Sequence, residues 1–195
     1  MGRLIGKAGV VVDRLDVGGG FPASYPGMQP APLSRFVTAI AEGVERLPVR
    51  EDVKLMCEPG RALVAEAESL IVRVEARRGN DLFINDGGYG VLFDAAHLGW
   101  IYPIRLINRA SNEPLVPHEL WGPTCDSIDY MKGPFLLPGS VAEGDYLEIG
   151  NMGAYARAIA GRFNGYGEYD EVILLDEPML TMYGTEGAAA AAARR

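Results

Sequence analysis

A cysteine lies beside an aspartate in the segment 121–129, whose sequence is Trp-Gly-Pro-Thr-Cys-Asp-Ser-Ile-Asp. The thiol of Cys125 can act as a nucleophile or an acid, and the carboxylate of Asp126 can bind a cation or move a proton. Asp129 adds a second carboxylate. Burial as a small apolar side chain is the usual fate of a free cysteine, but the flanking proline and carboxylates disfavour a purely apolar environment. The segment is therefore a candidate catalytic loop.

Two loops that follow predicted strands carry groups suited to an anion. Gly18–Gly20 follows the apolar segment 10–17, and the N–H groups of such a loop can approach a phosphate closely. Glu58-Pro-Gly-Arg61 follows a second short strand at 53–57. Taken alone, the first loop is equally well explained as a flexible turn and the second better as a turn with a surface ion pair. Because the ends of parallel strands lie on the ligand-binding side of α/β proteins, the pair together predicts a ligand site.

The other candidate residues have ordinary structural explanations. The segment Asn85-Asp-Gly-Gly-Tyr-Gly90 is typical of a hairpin turn, and Asp94 is typical of a helix N-cap. His97 and His118 have no cysteine or histidine at metal-ligand spacing, so we predict no metal site. Tyr155 follows a predicted turn, and packing in the core explains it.

The elements that must position these residues change in character near residue 61. Up to that point the order is strand, loop, helix, strand and loop, with the helix at about 34–46, as in a parallel α/β unit. One such unit cannot close a barrel and would expose much of its apolar surface.

Beyond residue 61, short apolar segments punctuated by glycine, proline and asparagine predict an antiparallel β domain over 62–183. We expect a helix near 152–160, and residues 65–68 would suit a helix as well as a strand. The Ala-rich residues 184–195 predict a disordered tail. The strands are expected at 62–76, 81–85, 102–107, 146–149 and 171–175.

Composition limits the classes of partner. The 195 residues are 48% hydrophobic and carry a formal charge of −8. That charge argues against nucleic acid or an anionic membrane surface as the partner, and mildly favours a cationic substrate. No apolar run approaches about 20 residues, so we predict no membrane-spanning helix. With no signal peptide recognised, the two cysteines predict free thiols and a cytoplasmic protein.

In this order, the motifs resemble those of the fold-type III pyridoxal phosphate decarboxylases. The resemblance is to the ornithine decarboxylase group, which includes bacterial enzymes that accept ornithine or lysine. It covers nearly all of residues 1–183. The matching segments are 15–22, 57–61, 85–90, 121–129, 151–155 and 163–166.

The resemblance implies an alanine-racemase-like (β/α)8 barrel followed by a β domain. The sequence matches the later part of such a chain, so the expected fold class is α/β plus β. Residues 1–61 would form the last βα units of a truncated barrel that binds the cofactor, and residues 62–183 would form the β domain with an active-site loop at a dimer interface.

The resemblance also implies a role for each matched residue. Backbone donors, a guanidinium and a hydroxyl would bind the phosphate of the cofactor pyridoxal 5'-phosphate, and a carboxylate would keep its ring nitrogen protonated. The implied cofactor residues are Gly18, Gly19, Gly20, Gly60, Arg61 and Tyr155, with Glu58 at the ring nitrogen. Asp94 and Asp126 would bind the distal ammonium of a diamino acid. Cys125 would direct protonation of the intermediate at the α carbon, and Phe163 would pack at the dimer interface.

The cysteine loop also bears on the substrate. Diaminopimelate decarboxylases are similar but carry Cys-Glu-Ser-Gly-Asp here, whereas this chain has Cys-Asp-Ser-Ile-Asp. The shorter Asp126 suits a simple distal ammonium, as in ornithine or lysine. Those two substrates differ by one methylene, a difference worth only about 1–3 kcal/mol in a pocket, so both stay open.

The resemblance places the family's Schiff-base lysine in the part of the barrel that this sequence does not match. Lys7, Lys54 and Lys132 do not stand in that context. We therefore expect the C-terminal part of a basic amino-acid decarboxylase, converting ornithine to putrescine or lysine to cadaverine in polyamine biosynthesis. It would be inactive alone, and would act as a homodimer or paired with an intact or N-terminal decarboxylase chain.

The alternative is a non-catalytic regulatory or dimerisation partner of an intact decarboxylase. The presence of Glu58, Arg61, Cys125 and Asp126 favours the enzyme, because a regulator would need none of these side chains.

Overall fold

The computed structural model describes residues 1–173 and 175. The predicted tail at 184–195 lies outside the described residues. Residues 171–173 and 175 form no strand, so the strand predicted there is wrong for the residues described. The chain divides into two compact units. The N-terminal unit comprises residues 1–23 and 29–63, and the C-terminal unit comprises residues 24–28 and the described residues from 64 onward.

The N-terminal unit contains a parallel pair of strands joined through a helix, as the α/β pattern predicts. Leu15 of the first strand lies opposite Leu55 of the second. The helix predicted at about 34–46 is confirmed and follows Pro32, whose fixed φ suits a helix start. The barrel itself stays a prediction. The elements are α1 (Gly2–Ala8), β1 (Arg14–Asp16), α2 (Leu33–Glu45), β2 (Lys54–Met56) and α3 (Gly60–Val64).

The C-terminal unit is built on a six-stranded sheet in the order β5-β8-β3-β4-β6-β7. A 3-10 turn at Ala65–Ala67 precedes its first strand, and a second at Phe163–Gly165 follows its last helix. The elements are β3 (Leu70–Arg78), β4 (Asp81–Ile84), α4 (Phe93–His97), β5 (Ile104–Leu106), β6 (Leu115–Trp121), β7 (Tyr130–Pro138), β8 (Tyr146–Ile149) and α5 (Ala156–Ile159).

The sheet is mixed, so the prediction of a purely antiparallel domain is wrong at one pair. β4 and β6 run parallel, while every other adjacent pair is antiparallel. The reason is the connection between them: α4 and β5 carry the chain back before β6 begins, so β6 enters in the same direction as β4. The two end strands, β5 and β7, also contact each other, so the sheet is nearly closed.

Alternating side chains of these strands fill the core of the C-terminal unit. Val72 and Val74 of β3 are buried with Leu147 and Ile149 of β8, in the period of two that a half-buried strand requires. The prediction of a strand at 146–149 is confirmed. The strand predicted at 62–76 begins only at Leu70, because the residues before it form α3 and a 3-10 turn.

Two strands of this sheet are absent from the sequence-based prediction, β6 and β7. Their prolines argue for loops, because proline cannot donate to a ladder. Pro117 lies in the part of β6 that pairs with β7 alone, since β4 meets β6 only at residues 119–121. Pro134 and Pro138 lie in β7, an end strand of the sheet. A strand that is hydrogen-bonded to a neighbour on one side only tolerates the missing N–H groups.

A short segment of the loop between β1 and α2, residues 24–28, belongs to the C-terminal unit and includes Tyr25, which is buried. Its ring packs edge-on against Trp100 and Tyr102, with centroids 5.0 and 5.4 Å away. Its hydroxyl donates to the carbonyl of Asn151 at 3.3 Å, and the Asn151 amide donates to the Ser24 carbonyl at 2.8 Å. Among the described residues, no helix is both long enough and apolar enough to cross a bilayer.

Candidate functional site

The cysteine loop joins β6 to β7 and is held by the side chain of Asp129. This carboxylate is buried, with 2% of the residue exposed. It accepts hydrogen bonds from the Thr124 hydroxyl at 2.8 Å, from the Thr124 N–H at 3.1 Å and from the Gly88 N–H at 2.6 Å. The last bond ties the loop to the segment between β4 and α4. The sequence marks Asp129 only as a second carboxylate and does not reveal this role.

Two glycines make room for the buried carboxylate. A methyl group on Gly87 or on Gly122 would overlap Asp129, so any larger residue would displace it. Within the segment 85–90 this close approach explains Gly87, whereas a methyl group on Gly90 would overlap the Asp86 carboxylate. The hairpin interpretation of that segment is wrong, because β4 pairs with β3 and β6, and the segment leads instead into α4.

Asp126 receives a hydrogen bond on each of its carboxylate oxygens. The Tyr89 hydroxyl donates to Oδ2 at 2.6 Å, and the Ile128 N–H donates to Oδ1 at 3.1 Å. The Tyr89 bond, with a smaller contribution from Ile128, holds the pKa of Asp126 below its ordinary value. The same bond raises the pKa of the Tyr89 hydroxyl. Asp126 is therefore an oriented anion at neutral pH.

Phe163 and Asn164 lie against the same loop. The Phe163 ring stacks on Tyr89, with centroids 4.5 Å apart and planes at 28°. The Asn164 amide nitrogen lies 3.8 Å from the sulfur of Cys125, which is exposed. Asn164 has a left-handed backbone, with φ of 55°. The structure thus brings together Cys125, Asp126 and Phe163, which the sequence predicted as site residues from distant motifs.

Asp94 lies in the first turn of α4 and is buried, with 8% exposed. Its interpretation as an N-cap is wrong, because Leu92 occupies that position. The helix packs on the segment that binds the cysteine loop, since a methyl group on Gly88 would meet Ala96 at 2.5 Å. Asp94 is therefore placed on an element that adjoins this segment, and its role beside Asp126 stays a prediction.

A buried carboxylate that the sequence did not single out lies in the same segment. Asp86 has 6% of its surface exposed and accepts hydrogen bonds from the Gly87 N–H at 2.8 Å and from the Tyr169 hydroxyl at 3.4 Å. Burial raises the pKa of Asp86 to about 6, and the nearby Asp129 contributes in the same direction. Burial and Asp86 together raise the pKa of Tyr169 to about 12.

The two histidines have structural surroundings. His118 is buried in β6, its Nδ1 lies 3.0 Å from the Val116 carbonyl, and burial lowers its pKa. His97 lies against the Phe93 ring, with centroids 4.4 Å apart. Among residues 1–173 and 175, no group of three or more His, Cys, Asp or Glu side chains is arranged to hold a metal ion.

In the N-terminal unit, the glycine loop and the segment after β2 adjoin each other. The Glu58 N–H donates to the Gly18 carbonyl at 2.8 Å. A Cβ on Gly19 would lie 2.6 Å from the Glu58 carbonyl oxygen, so this position accepts only glycine without a shift. Gly18 and Gly20 have φ of 76° and 87°. The sequence-based prediction that the two loops meet at one end of a parallel pair is confirmed.

Comparison with known proteins identifies the family. The family model of the pyridoxal-dependent decarboxylase C-terminal sheet domain matches residues 10–153. The chain belongs to this decarboxylase family. Its fold is similar to that of the lysine/ornithine decarboxylase of Vibrio vulnificus solved with putrescine, at 33% identity and a TM-score of 0.70 over 89% of this chain and 47% of that one. The resemblance to the decarboxylases seen in the sequence motifs is confirmed.

Of two curated relatives, one is named as an inhibitor protein and the other as an enzyme. Antizyme inhibitor 2 of Xenopus laevis is 34% identical over 173 residues, covering 78% of this chain and 37% of that protein. Ornithine decarboxylase of Cricetulus griseus is 31% identical over 185 residues, covering 85% and 39%. The chain therefore spans less than half the length of the curated relatives it matches.

The decarboxylase family implies pyridoxal phosphate, and the glycine loop fits its phosphate. Within the described residues, the N–H groups of Gly19 and Gly20 have no acceptor, while the Gly18 N–H donates to Asp16 at 2.8 Å. Two free donors, one of them on Gly19 where a Cβ would not fit, match the needs of a phosphate oxygen. Glu58, Gly60 and Arg61 lie in the same unit as this loop.

Tyr155 lies in the C-terminal unit of this decarboxylase-like chain, and 56% of its surface is exposed. It has a left-handed backbone with φ of 68° and precedes α5, at the end of a turn as predicted. Its contribution to a phosphate site with the glycine loop stays a prediction. The three lysines, Lys7, Lys54 and Lys132, are all exposed.

Proposed function

We propose that this chain forms the C-terminal part of a pyridoxal phosphate-dependent decarboxylase of basic amino acids, with ornithine as the first candidate substrate and lysine as the second. The observation that carries the proposal is the cluster around Asp126. An exposed cysteine adjoins a carboxylate that is oriented by two donors and kept ionised by a neutral hydroxyl. Such a pair offers a proton donor and a receptor for a cation in one loop.

Asp126 sets the class of substrate. An ionised carboxylate forms its strongest hydrogen bonds with a charged donor such as an ammonium. The cation would be the distal ammonium of a diamino acid, and the short side chain leaves room for an unbranched amine. The Vibrio vulnificus relative, named as a lysine/ornithine decarboxylase and solved with putrescine, supports this class.

The glycine loop would bind the cofactor, and Cys125 would supply a proton after decarboxylation. The cofactor, when bound, supplies an electron sink for the carbanion that remains when carbon dioxide leaves. The Gly19 and Gly20 N–H groups would bind its phosphate, with Arg61 and Tyr155 adding charged and hydroxyl donors. The Cys125 thiol would hold a proton for return to the α carbon.

The proposal includes a second polypeptide component. None of Lys7, Lys54 and Lys132 stands in the context of the family's Schiff-base lysine, and residues 1–63 contain two strands, β1 and β2. We expect no turnover by this chain alone. A homodimer, or pairing with a chain that carries the early barrel, would bring Cys125 and Asp126 to a site that contains the lysine.

Complementation tests this function. The full chain is co-expressed with the barrel portion of a lysine/ornithine decarboxylase, and carbon dioxide release from ornithine and from lysine is measured. We expect activity with the wild-type chain and a loss of at least about 100-fold with Cys125→Ala, which removes a general acid. Asp126→Ala should mainly raise KM. Absence of activity with a folded, associated wild-type chain would contradict the proposal.

One observation favours a second candidate, a regulatory partner of an intact decarboxylase. The chain is 34% identical to a protein named as antizyme inhibitor 2. For this candidate, adding the chain to an intact decarboxylase would change its activity equally with wild-type and Cys125→Ala chains. The complementation assay separates the two candidates, because only the enzyme depends on the thiol.

A further inference from the structure

Tyr89 makes the shorter of the two hydrogen bonds to Asp126, the carboxylate proposed to bind the substrate. Its hydroxyl lies 2.6 Å from Asp126 Oδ2, and the two residues are 37 positions apart in the sequence. The Ile128 N–H occupies the other oxygen at 3.1 Å. A carboxylate has about four lone-pair sites, so each oxygen can still accept one further donor. The orientation of the Asp126 carboxylate is therefore fixed, while both of its oxygens keep the capacity to accept another hydrogen bond.

Tyr89 is itself held on two sides. Phe163 stacks on its ring at 4.5 Å. The neighbouring Gly88 N–H donates to the buried Asp129 at 2.6 Å, which ties the backbone beside Tyr89 to the same loop. The hydroxyl therefore belongs to a supported ring, and its direction toward Asp126 is set by packing on one side and by a buried charge-assisted bond on the other.

We propose that Tyr89 is a positioning residue that orients Asp126 and keeps it ionised for binding of a substrate ammonium. The identity of that ammonium rests on the proposed function, whereas the positioning itself rests on the contacts above. The choice of a tyrosine has a chemical reason. A neutral hydroxyl stabilises the anion but leaves its charge intact, while a lysine or arginine would compete with the substrate for it.

The first test uses the full chain and needs no catalysis. Titration of the Asp126 carboxyl by carbon-13 NMR is compared in wild type and Tyr89→Phe. Loss of the hydroxyl should raise the pKa of Asp126 toward its ordinary value. Tyr130→Phe is the matched control, because it removes a similar bond from Tyr130 to Glu119 at 2.5 Å. An Asp126 titration that is unchanged in a folded Tyr89→Phe chain overturns the proposal.

A second variant covers the case in which Tyr89→Phe fails to fold. Phe163→Leu keeps the hydroxyl but removes the ring that stacks on Tyr89, and Phe163 is 44% exposed, so the fold should tolerate it. We expect a smaller shift of the Asp126 titration in the same direction. If the titrations of both Phe163→Leu and wild type coincide, the packing argument fails and the proposal with it.

The second readout uses the complemented enzyme described above. Tyr89→Phe should raise KM for ornithine about 2- to 10-fold at neutral pH, as loss of one hydrogen bond implies, with a smaller effect on kcat. Failure of complementation alongside a shifted Asp126 titration would remove the proposed function and leave the positioning role standing. An unshifted Asp126 titration in an active complemented enzyme would remove the positioning role and leave the proposed function standing.

Discussion

The two units of the chain differ in how much of their apolar surface they bury. In the N-terminal unit only Ile5 and Ala23 are buried, and α2 has no buried residue. In the C-terminal unit all six strands belong to one nearly closed sheet, and side chains such as Leu120 and Phe135 are fully buried.

The difference follows from the number of strands in each unit. A two-stranded parallel sheet has two edges and too little area to shield both faces. Six strands that nearly close on themselves enclose a core between them. The stability of the chain therefore resides mainly in the C-terminal unit, and the candidate loop with Cys125 is built onto the stable part. The glycine loop is built onto the other.

Truncating one leucine in each unit gives the largest expected contrast. Leu120→Ala, at a site with no exposed surface, should lower the free energy of unfolding by about 2–5 kcal/mol. Leu55→Ala, at a residue that is 49% exposed, should cost less than about 1 kcal/mol. Urea unfolding followed by circular dichroism checks both. The fluorescence of Trp100 and Trp121, both in the C-terminal unit, reports the first change. Equal losses would refute the contrast.

Asp129→Ala should have the next largest effect, because it leaves three buried or half-buried donors without an acceptor. We expect a loss of about 2–4 kcal/mol in unfolding free energy and faster hydrogen exchange at Gly88 and Thr124. Asp170→Ala, which removes an exposed carboxylate from the same unit, is the control and should change little. A small loss with Asp129→Ala would mean that the loop is not an integral part of the stable unit.

The pH dependence of the C-terminal unit tests the buried Asp86. Its pKa of about 6 in the native state lies above the ordinary value of 3.8, so the native state favours the protonated form. The contribution of protonated Asp86 to the free energy of unfolding is fully present below about pH 4. It is lost as the pH rises through about 6, by about 2–3 kcal/mol in total. The free energy of unfolding of the wild-type chain minus that of Asp86→Asn, measured from pH 4 to pH 7.5, should show that loss. A flat difference would contradict the raised pKa.

A pair of glycine substitutions in the N-terminal unit gives the smallest effects, with opposite signs. Gly19→Ala should destabilise by about 1 kcal/mol, because its Cβ would crowd the Glu58 carbonyl at 2.6 Å. Gly43→Ala, in α2 and with nothing within 4 Å of the new methyl group, should stabilise by about 0.5–1 kcal/mol. Circular dichroism during denaturation measures both. Stabilisation by Gly19→Ala would show that the glycine loop does not adjoin Glu58.

Local patterns predicted the elements whose stability depends on neighbours in the sequence. The helix α2 was predicted from its apolar spacing and β8 from a short apolar run between turns. The strands β6 and β7, which contain prolines, were not predicted. Whether Pro117 and Pro134 are tolerated depends on which strand lies beside them, and that is a property of the sheet and not of the segment.

The site divides in the same way. Cys125, Asp126 and the glycine loop were recognised from residue types and motif order, and the family assignment followed from them. The contacts that organise the loop join residues 37 to 41 positions apart, such as Tyr89 with Asp126 and Gly88 with Asp129. No local pattern contains those pairs, so the roles of Tyr89 and Asn164, and the buried hydrogen bonds of Asp129, were missed.

By itself, the sequence determined which chemical groups are present, their order along the chain and the family to which that order belongs. The tertiary structure alone decided the state of the carboxylates. Asp86 is pushed toward its neutral form, while Asp126 is held as an anion, although both are aspartates in motif segments. The physical reason is that a pKa depends on desolvation and on hydrogen-bond donors, and folding brings both from distant parts of the chain.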